Sequence, residues 1–265
     1  MRFLIVGDII GEPGRKALKF MLEELKEKEK PDVVIVNAEN IAGGFGITEK
    51  IYSYVKSMGV DVMTSGNHIW DRKEIFKFMD SAEILLRPAN YPEGVPGRGY
   101  AVFEKRGIKY CVINLMGRVY LDCHLDNPFR TFDRIYEDIK DRVNIIVVDF
   151  HGEVTSEKWA FAIYSDGRAS IIYGTHTHVP TADECILPKG TAYVTDVGMT
   201  GPWYSVIGMK AEKPINRFLY GLPQKYEVAG GDLIFNAILV DVDEETGKAK
   251  NIRRIKRLIK REEMR

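Results

Sequence analysis

The sequence predicts a single α/β domain, on three observations. Short runs with the character of buried strands alternate with amphipathic helical patterns through the first half of the chain. The polar and ionisable residues suited to chemistry stand directly behind those strand runs, where open α/β sheets bind their ligands. The chain has 265 residues, 45% hydrophobic and 29% charged. That suits one large globular domain able to bury about 70% of its unfolded surface without disulfides.

The elements follow in order. Phe3-Leu-Ile-Val6 is an apolar run that stops at Gly7-Asp8, as a strand buried on both faces does. Pro13 suits the first turn of a helix, and Leu18, Met21, Leu22 and Leu25 recur behind it at i, i+3, i+4 and i+7. Residues 32–36 form the next buried strand and run into Asn37-Ala38-Glu39-Asn40. The glycine-rich stretch 42–46 lacks the Lys-Ser/Thr ending of a phosphate loop and reads as a close-packed turn. Thr48 is placed to cap a helix that carries Ile51 and Val55 and stops at Gly59. A third strand, 60–63, leads to Gly66-Asn67-His68. Asp71 and Glu74 then have capping-box spacing for a helix bearing Ile75 and Phe78.

Residues 100–105 and 109–115 flank Arg106-Gly107 as the arms of a hairpin. A helix over 131–141 precedes a buried strand, 144–150, that ends at His151-Gly152. A helix over 156–165 precedes a strand, 169–173, that ends at Gly174-Thr175-His176-Thr177-His178. Two more strands fall at 191–195 and 233–242. Residues 198–231, richer in Gly, Pro and aromatic side chains, read as an inserted loop or lid within the one domain. The basic tail, 251–265, has Ile252, Ile255 and Ile259 at near-helical spacing. It reads as a solvated terminal element in preference to a membrane anchor.

Composition narrows the function classes. Lys+Arg and Asp+Glu both number 38, and zero formal charge argues against holding nucleic acid by broad phosphate neutralisation. A small phosphate ester remains compatible, because a metal can supply positive charge locally. Cys111, Cys123 and Cys185 are odd in number and share no CxxC spacing, which disfavours disulfide scaffolds and zinc knuckles and points to a reducing compartment. The N-terminus lacks a signal-peptide pattern, and no run approaches the roughly 18 apolar residues of a membrane span. The expectation is a soluble cytoplasmic protein without a membrane partner.

Asp8, Glu39 with Asn40, Asn67 with His68, His151, and His176 with His178 each stand just past a strand, and four of the five histidines fall at these ends. A lone histidine is more often a satisfied surface or core group. Five strand ends that all carry nitrogen or oxygen donors favour a site. His176 and His178, two apart in an extended segment, are expected to project to one side. Asn67 is a usable ligand through its carbonyl oxygen. Three histidines, two carboxylates and two carboxamides exceed one tetrahedral zinc sphere. They fit two metals roughly 3.5–4 Å apart, bridged by one carboxylate and a hydroxide. Imidazole and oxygen donors without thiolate favour Fe, Mn or Zn.

This ordered set resembles the calcineurin-like metallophosphoesterases, and more closely their YmdB branch, typed as 2′,3′-cyclic-nucleotide 2′-phosphodiesterases. The signatures are Gly-Asp-Ile-Ile-Gly (7–11), Asn-Ala-Glu-Asn (37–40), Thr-Ser-Gly-Asn-His-Ile-Trp-Asp (64–71), Gly-Thr-His-Thr-His-Val-Pro-Thr-Ala-Asp (174–183) and Thr-Asp-Val-Gly-Met-Thr-Gly-Pro (195–202). Ser-Val-Ile-Gly (205–208) follows the last of them. The resemblance implies a four-layer α/β/β/α sandwich with a di-metal centre, di-iron first and manganese or zinc as alternatives. It implies that Asp8, Asn40 and His178 ligate one metal, that Asn67, His151 and His176 ligate the other, and that Glu39 bridges them. His68 resembles the proton donor of that family. Ile10 stands where the wider superfamily has a histidine ligand, and Glu39 replaces its usual bridging Asp; both departures match the YmdB branch.

The reaction implied is hydrolysis of a 2′,3′-cyclic nucleotide to a 3′-phosphate by a metal-bridging hydroxide. His68 would protonate the departing 2′ oxygen. Trp203 and Tyr204 offer stacking surface for a nucleobase. The partners expected are a small phosphodiester and further copies of the chain, as a dimer or tetramer, with no stable nucleic-acid complex. Two other readings compete. A metal-dependent amidohydrolase also uses a His-x-His pair, but opens its chain with it on the first barrel strand, whereas here the pair comes at 176–178. A metal-bound regulatory protein that only binds cyclic nucleotides keeps every residue of the site and differs in turnover.

Overall fold

The computed structural model describes residues 1–121 and 124–264. Asp122, Cys123 and Arg265 lie outside the described residues, and with them the sequence reading of Cys123. In chain order the elements are β1 (Arg2–Val6), α1 (Gly11–Lys28), β2 (Val33–Asn37), α2 (Glu49–Ser57), β3 (Val62–Thr64) and α3 (Ile75–Phe78). Then come β4 (Tyr100–Lys105), β5 (Ile108–Met116), α4 (Pro128–Ile139), β6 (Ile145–His151), α5 (Thr155–Ser165) and β7 (Ile171–Thr175). The last group is β8 (Cys185–Ile186), β9 (Ala192–Val194), β10 (Gly201–Pro202), α6 (Glu212–Tyr220), β11 (Leu233–Val242) and β12 (Ala249–Ile259).

Two six-stranded sheets pack face to face. One has the order β10-β11-β1-β2-β3, with β12 paired to β11; the other is β4-β5-β6-β7-β9-β8. The pleat sorts the apolar runs into three cores. Phe3 and Ile5 of β1, with Val33 and Ile35 of β2, face Val112, Ile145 and Val147 across the sheet interface. Leu4 and Val6 alternate with them and pack under Leu18 of α1, Val55 of α2 and Ile75 of α3. On the far side, α4 and α5 cover the second sheet through Phe132, Ile135 and Phe161. The result is the four-layer sandwich that the resemblance implied.

The parallel strands β1, β2 and β3 end on the same side of the first sheet, and β6 and β7 end together in the second. These strands are covered on both faces, which is why they read as largely apolar runs. Thr48 caps α2 by accepting from the Ile51 N–H at 3.3 Å, and the hairpin forms as β4 and β5. Asn127 caps α4 and starts it three residues earlier than the apolar spacing indicated.

Two local readings are corrected. Asp71 does not cap α3, whose N-terminus has no side-chain cap; its carboxylate lies 2.8 Å from His68 Nδ1 instead. The spacing of Ile252, Ile255 and Ile259 is not helical. These residues lie on β12, antiparallel to β11, with Ile252 facing the inter-sheet core and Ile255 and Ile259 the outer one. Isoleucines three and four apart fit either element, and an open edge of β11 decided between them.

Cys111 and Cys185 are free. No helix among the described residues is long and apolar enough to cross a membrane.

Candidate metal centre

The strand ends bring seven side chains to one place. Glu39 belongs to two groups whose ligand atoms all lie within 4.8 Å of one another: Glu39 with His151 and His176, and Glu39 with Asp8 and His178. Asp8, Glu39 and His151 are fully buried. Glu39 Oε1 lies 3.3 Å from His151 Nε2. Asn67 Oδ1 and His176 Nδ1 approach that same Nε2 at 3.0 and 3.1 Å. On the other side, Asp8 Oδ1 is 3.8 Å from His178 Nε2.

The outer nitrogen of each histidine has an acceptor, which fixes the tautomer that turns a lone pair inward. His151 Nδ1 meets Thr175 Oγ1 at 2.9 Å, and that hydroxyl donates its own proton to Asp149 Oδ1 at 2.7 Å. His176 Nε2 pairs with Glu153 at 3.0 Å. His178 Nδ1 donates to the Ile207 carbonyl at 3.1 Å. Three imidazole lone pairs, two buried carboxylates and the Asn67 oxygen thus converge without a Lys or Arg among them.

Donor chemistry and one orphan atom both fit divalent metal. Asp8 Oδ1 is buried with no hydrogen-bond partner, although the other oxygen accepts from the His176 N–H at 3.3 Å. A buried carboxylate oxygen left so is costly unless a cation takes it. The protein's own charges show the same demand. Burial works against a charged His151, yet Glu39, Asp8 and Asp149 hold its pKa up at about 9. Burial and that neighbouring charge push His176 down to about 3. Burial raises Glu39, but His151 and the His68 backbone N–H outweigh it and hold the carboxyl below its usual range.

Two expectations change in detail. The His176–His178 segment is not extended: both histidines have left-handed backbone, with φ of 92° and 66°. They therefore part, His176 to one group and His178 to the other. Asn40 sits between Glu39 and His178, but its Nδ2 faces them, at 3.1 and 3.2 Å. Ligation through oxygen needs that amide turned over, a change of almost no shape.

Ile10 is buried in a small apolar cluster with Met199 and Ile234, away from ligand duty. His68, about one third exposed, donates its backbone N–H to Glu39 Oε2 at 3.1 Å, and Phe45 packs edge-on against its ring. Trp203 lines a cavity next to His178, whereas Tyr204 stands 82% exposed outside it. Residues 199–202 are woven into the first sheet: the Thr200 N–H donates to the Asp8 carbonyl at 2.8 Å. Asp149, Glu153 and Thr175 escaped the sequence reading, because a single acidic or hydroxyl residue near a strand end carries no spacing signal.

The YmdB-like protein family model matches residues 4–255. The chain is 49% identical over 255 residues to the 2′,3′-cyclic-nucleotide 2′-phosphodiesterase of Bacillus subtilis (strain 168), a match covering 96% of each. It superimposes with a TM-score of 0.92 on the crystal structure of a hypothetical protein from Thermus thermophilus, at 42% identity, covering 98% of this chain and 100% of that one. A novel phosphatase from Mycoplasma pneumoniae gives a TM-score of 0.93 at 39% identity, covering 98% and 94%. By sequence along nearly its whole length, and by fold, the chain belongs to the YmdB-like family.

Proposed function

We propose that this chain is a metal-dependent phosphodiesterase that opens 2′,3′-cyclic nucleotides to 3′-phosphates. The observation that carries the reading is Glu39, fully buried and common to both groups of potential ligands, as a carboxylate bridging two ions must be. Asp8, Asn40 and His178 would hold one ion and Asn67, His151 and His176 the other, with iron as the first expectation and manganese or zinc as alternatives. The name of the Bacillus subtilis relative supports the substrate class.

Divalent cations bound there lower the pKa of water and offset charge on the phosphoryl oxygens. The remaining work belongs to the chain. Thr175, Glu153 and Ile207 keep the three imidazoles in their ligating tautomers. Asp71 holds His68 by Nδ1, which leaves Nε2 as the ring nitrogen available to a substrate. As the P–O2′ bond breaks and an oxygen from water joins phosphorus, His68 gives a proton to O2′. An alkoxide is a poor leaving group, so this proton matters to the rate.

The test is turnover of adenosine 2′,3′-cyclic phosphate by the purified chain. Chelation should abolish it, manganese should restore it, and the product should be the 3′-phosphate. Binding without turnover would instead support the regulatory reading, and a 2′-phosphate product would overturn the direction of opening.

A further inference from the structure

A cavity of about 400 Å³ borders His178, with Trp203, Ile207 and Pro180 among its apolar lining and Asn236 and Lys256 as polar members. Asn236 and Lys256 are cross-strand partners on β11 and β12 and so share one face. Asn236 is 3% exposed, and its Nδ2 donates to the Met199 carbonyl at 2.6 Å, but Oδ1 has no partner. A buried acceptor at a cavity wall calls for a donor from whatever fills the cavity.

Lys256 differs from its neighbours. Lys250, Arg253, Arg254 and Arg257 of the same strand each pair with a carboxylate at 2.5–2.7 Å. Among the described residues Lys256 has no such ion pair. The cavity therefore offers an apolar wall with an indole, an acceptor lacking its donor, and an unneutralised cation, all next to an imidazole of the metal centre.

We propose that this cavity is a nucleoside subsite whose Lys256 takes the phosphate on the 5′ side of the terminal nucleotide. The inference rests on the phosphodiesterase reading and extends it. A nucleoside supplies a flat ring for Trp203 and N–H or O–H donors for Asn236 Oδ1. Its cyclic phosphate would lie at the metals, so a cyclic mononucleotide has no charge left for Lys256. The substrate class that uses every feature is a nucleotide with a 2′,3′-cyclic phosphate and a 5′-phosphate, free or as the end of a short RNA.

The experiment compares kcat/KM for adenosine 2′,3′-cyclic phosphate, its 5′-phosphorylated form, and a dinucleotide ending in the cyclic phosphate. The ratio is read within one preparation, so a fold or metal defect cancels. A preference of about tenfold for the two substrates with a 5′ phosphate is expected, equivalent to one charged contact. It should shrink at high salt, because the contact is exposed. Lys256→Ala should bring the ratio near one. Arg257→Ala, on the opposite face of β12, should keep it. A dinucleotide preferred over the 5′-phosphorylated mononucleotide supports RNA ends as the source, and equality supports free nucleotides.

A wild-type ratio near one, or a preference that survives Lys256→Ala, overturns the subsite. If none of the three turns over, the functional reading fails separately. Calorimetric binding of adenosine 3′-phosphate against adenosine 3′,5′-bisphosphate, in wild type and Lys256→Ala, then decides the subsite by the same ratio.

Discussion

Gly66 lies between the end of β3 and Asn67, and a Cβ built there would collide with His151 Nε2 and Glu39 Oε2. Gly66→Ala must therefore move both side chains, and the expected outcome is loss of bound metal and activity from a chain that still folds. Elemental analysis and circular dichroism on one sample check this. Glu39→Gln keeps the shape and removes the shared charge, so metal content should fall together with kcat. His68 is expected to behave differently, because it touches Glu39 through its backbone and not its ring. His68→Ala should keep the metal while lowering kcat by roughly 10²–10⁴. The loss should be smaller for a nitrophenyl diester, whose leaving group departs without a proton. Metal loss in His68→Ala, or equal slowing of both substrates, would make His68 a ligand or phosphate binder.

At the scale of elements, one buried ion pair ties α5 to the histidine loop. Lys158, 1% exposed, donates to the Thr175 carbonyl at 2.8 Å and to Asp196 at 2.7 Å. Asp196 also accepts from the Thr177 N–H and hydroxyl, at 3.2 and 2.6 Å, and from the Gly198 N–H at 2.8 Å. A left-handed backbone at a non-glycine residue costs about 1–3 kcal/mol and persists where its surroundings over-determine it. The Lys158–Asp196 network surrounds two such residues, His176 and His178. Lys158→Met leaves Asp196 buried without its counter-charge, which should cost roughly 3–5 kcal/mol in urea unfolding and weaken metal binding. Adding Asp196→Asn should recover part of the stability. A loss below about 1 kcal/mol for Lys158→Met would mean that the pair does not hold the loop.

For the whole molecule, β12 closes the first sheet. It covers the ten-residue edge of β11, and its exposed side chains are mostly basic. Removing residues 249–265 would bare that edge, a ready template for pairing with another chain. The truncated protein is expected to elute as large aggregates in size-exclusion chromatography. A monodisperse truncation with unchanged thermal stability would show that β12 is dispensable to the fold.

The buried strands and the donors behind them are legible in the linear chain. A short apolar run with polar donors behind it is a local signal: Gly-Asp8 follows β1, Ala-Glu39-Asn40 follows β2 and Gly-Asn67-His68 follows β3. These strands read as apolar because each is covered on both faces. The ordered motifs that carry the family are equally local. How the donors divide was settled by packing, with Glu39 common to both groups and His176 and His178 turned apart by their backbone. Packing also put Asp71 on His68 instead of a helix end and drew the last isoleucines into a strand. It supplied Asp149, Thr175 and Glu153 as the groups that set imidazole tautomers. The cause is distance along the chain. Periodicity reports which face of a segment is covered, whereas a hydrogen bond such as that from the His176 N–H to Asp8 joins residues 168 apart and exists only after the sheets have packed.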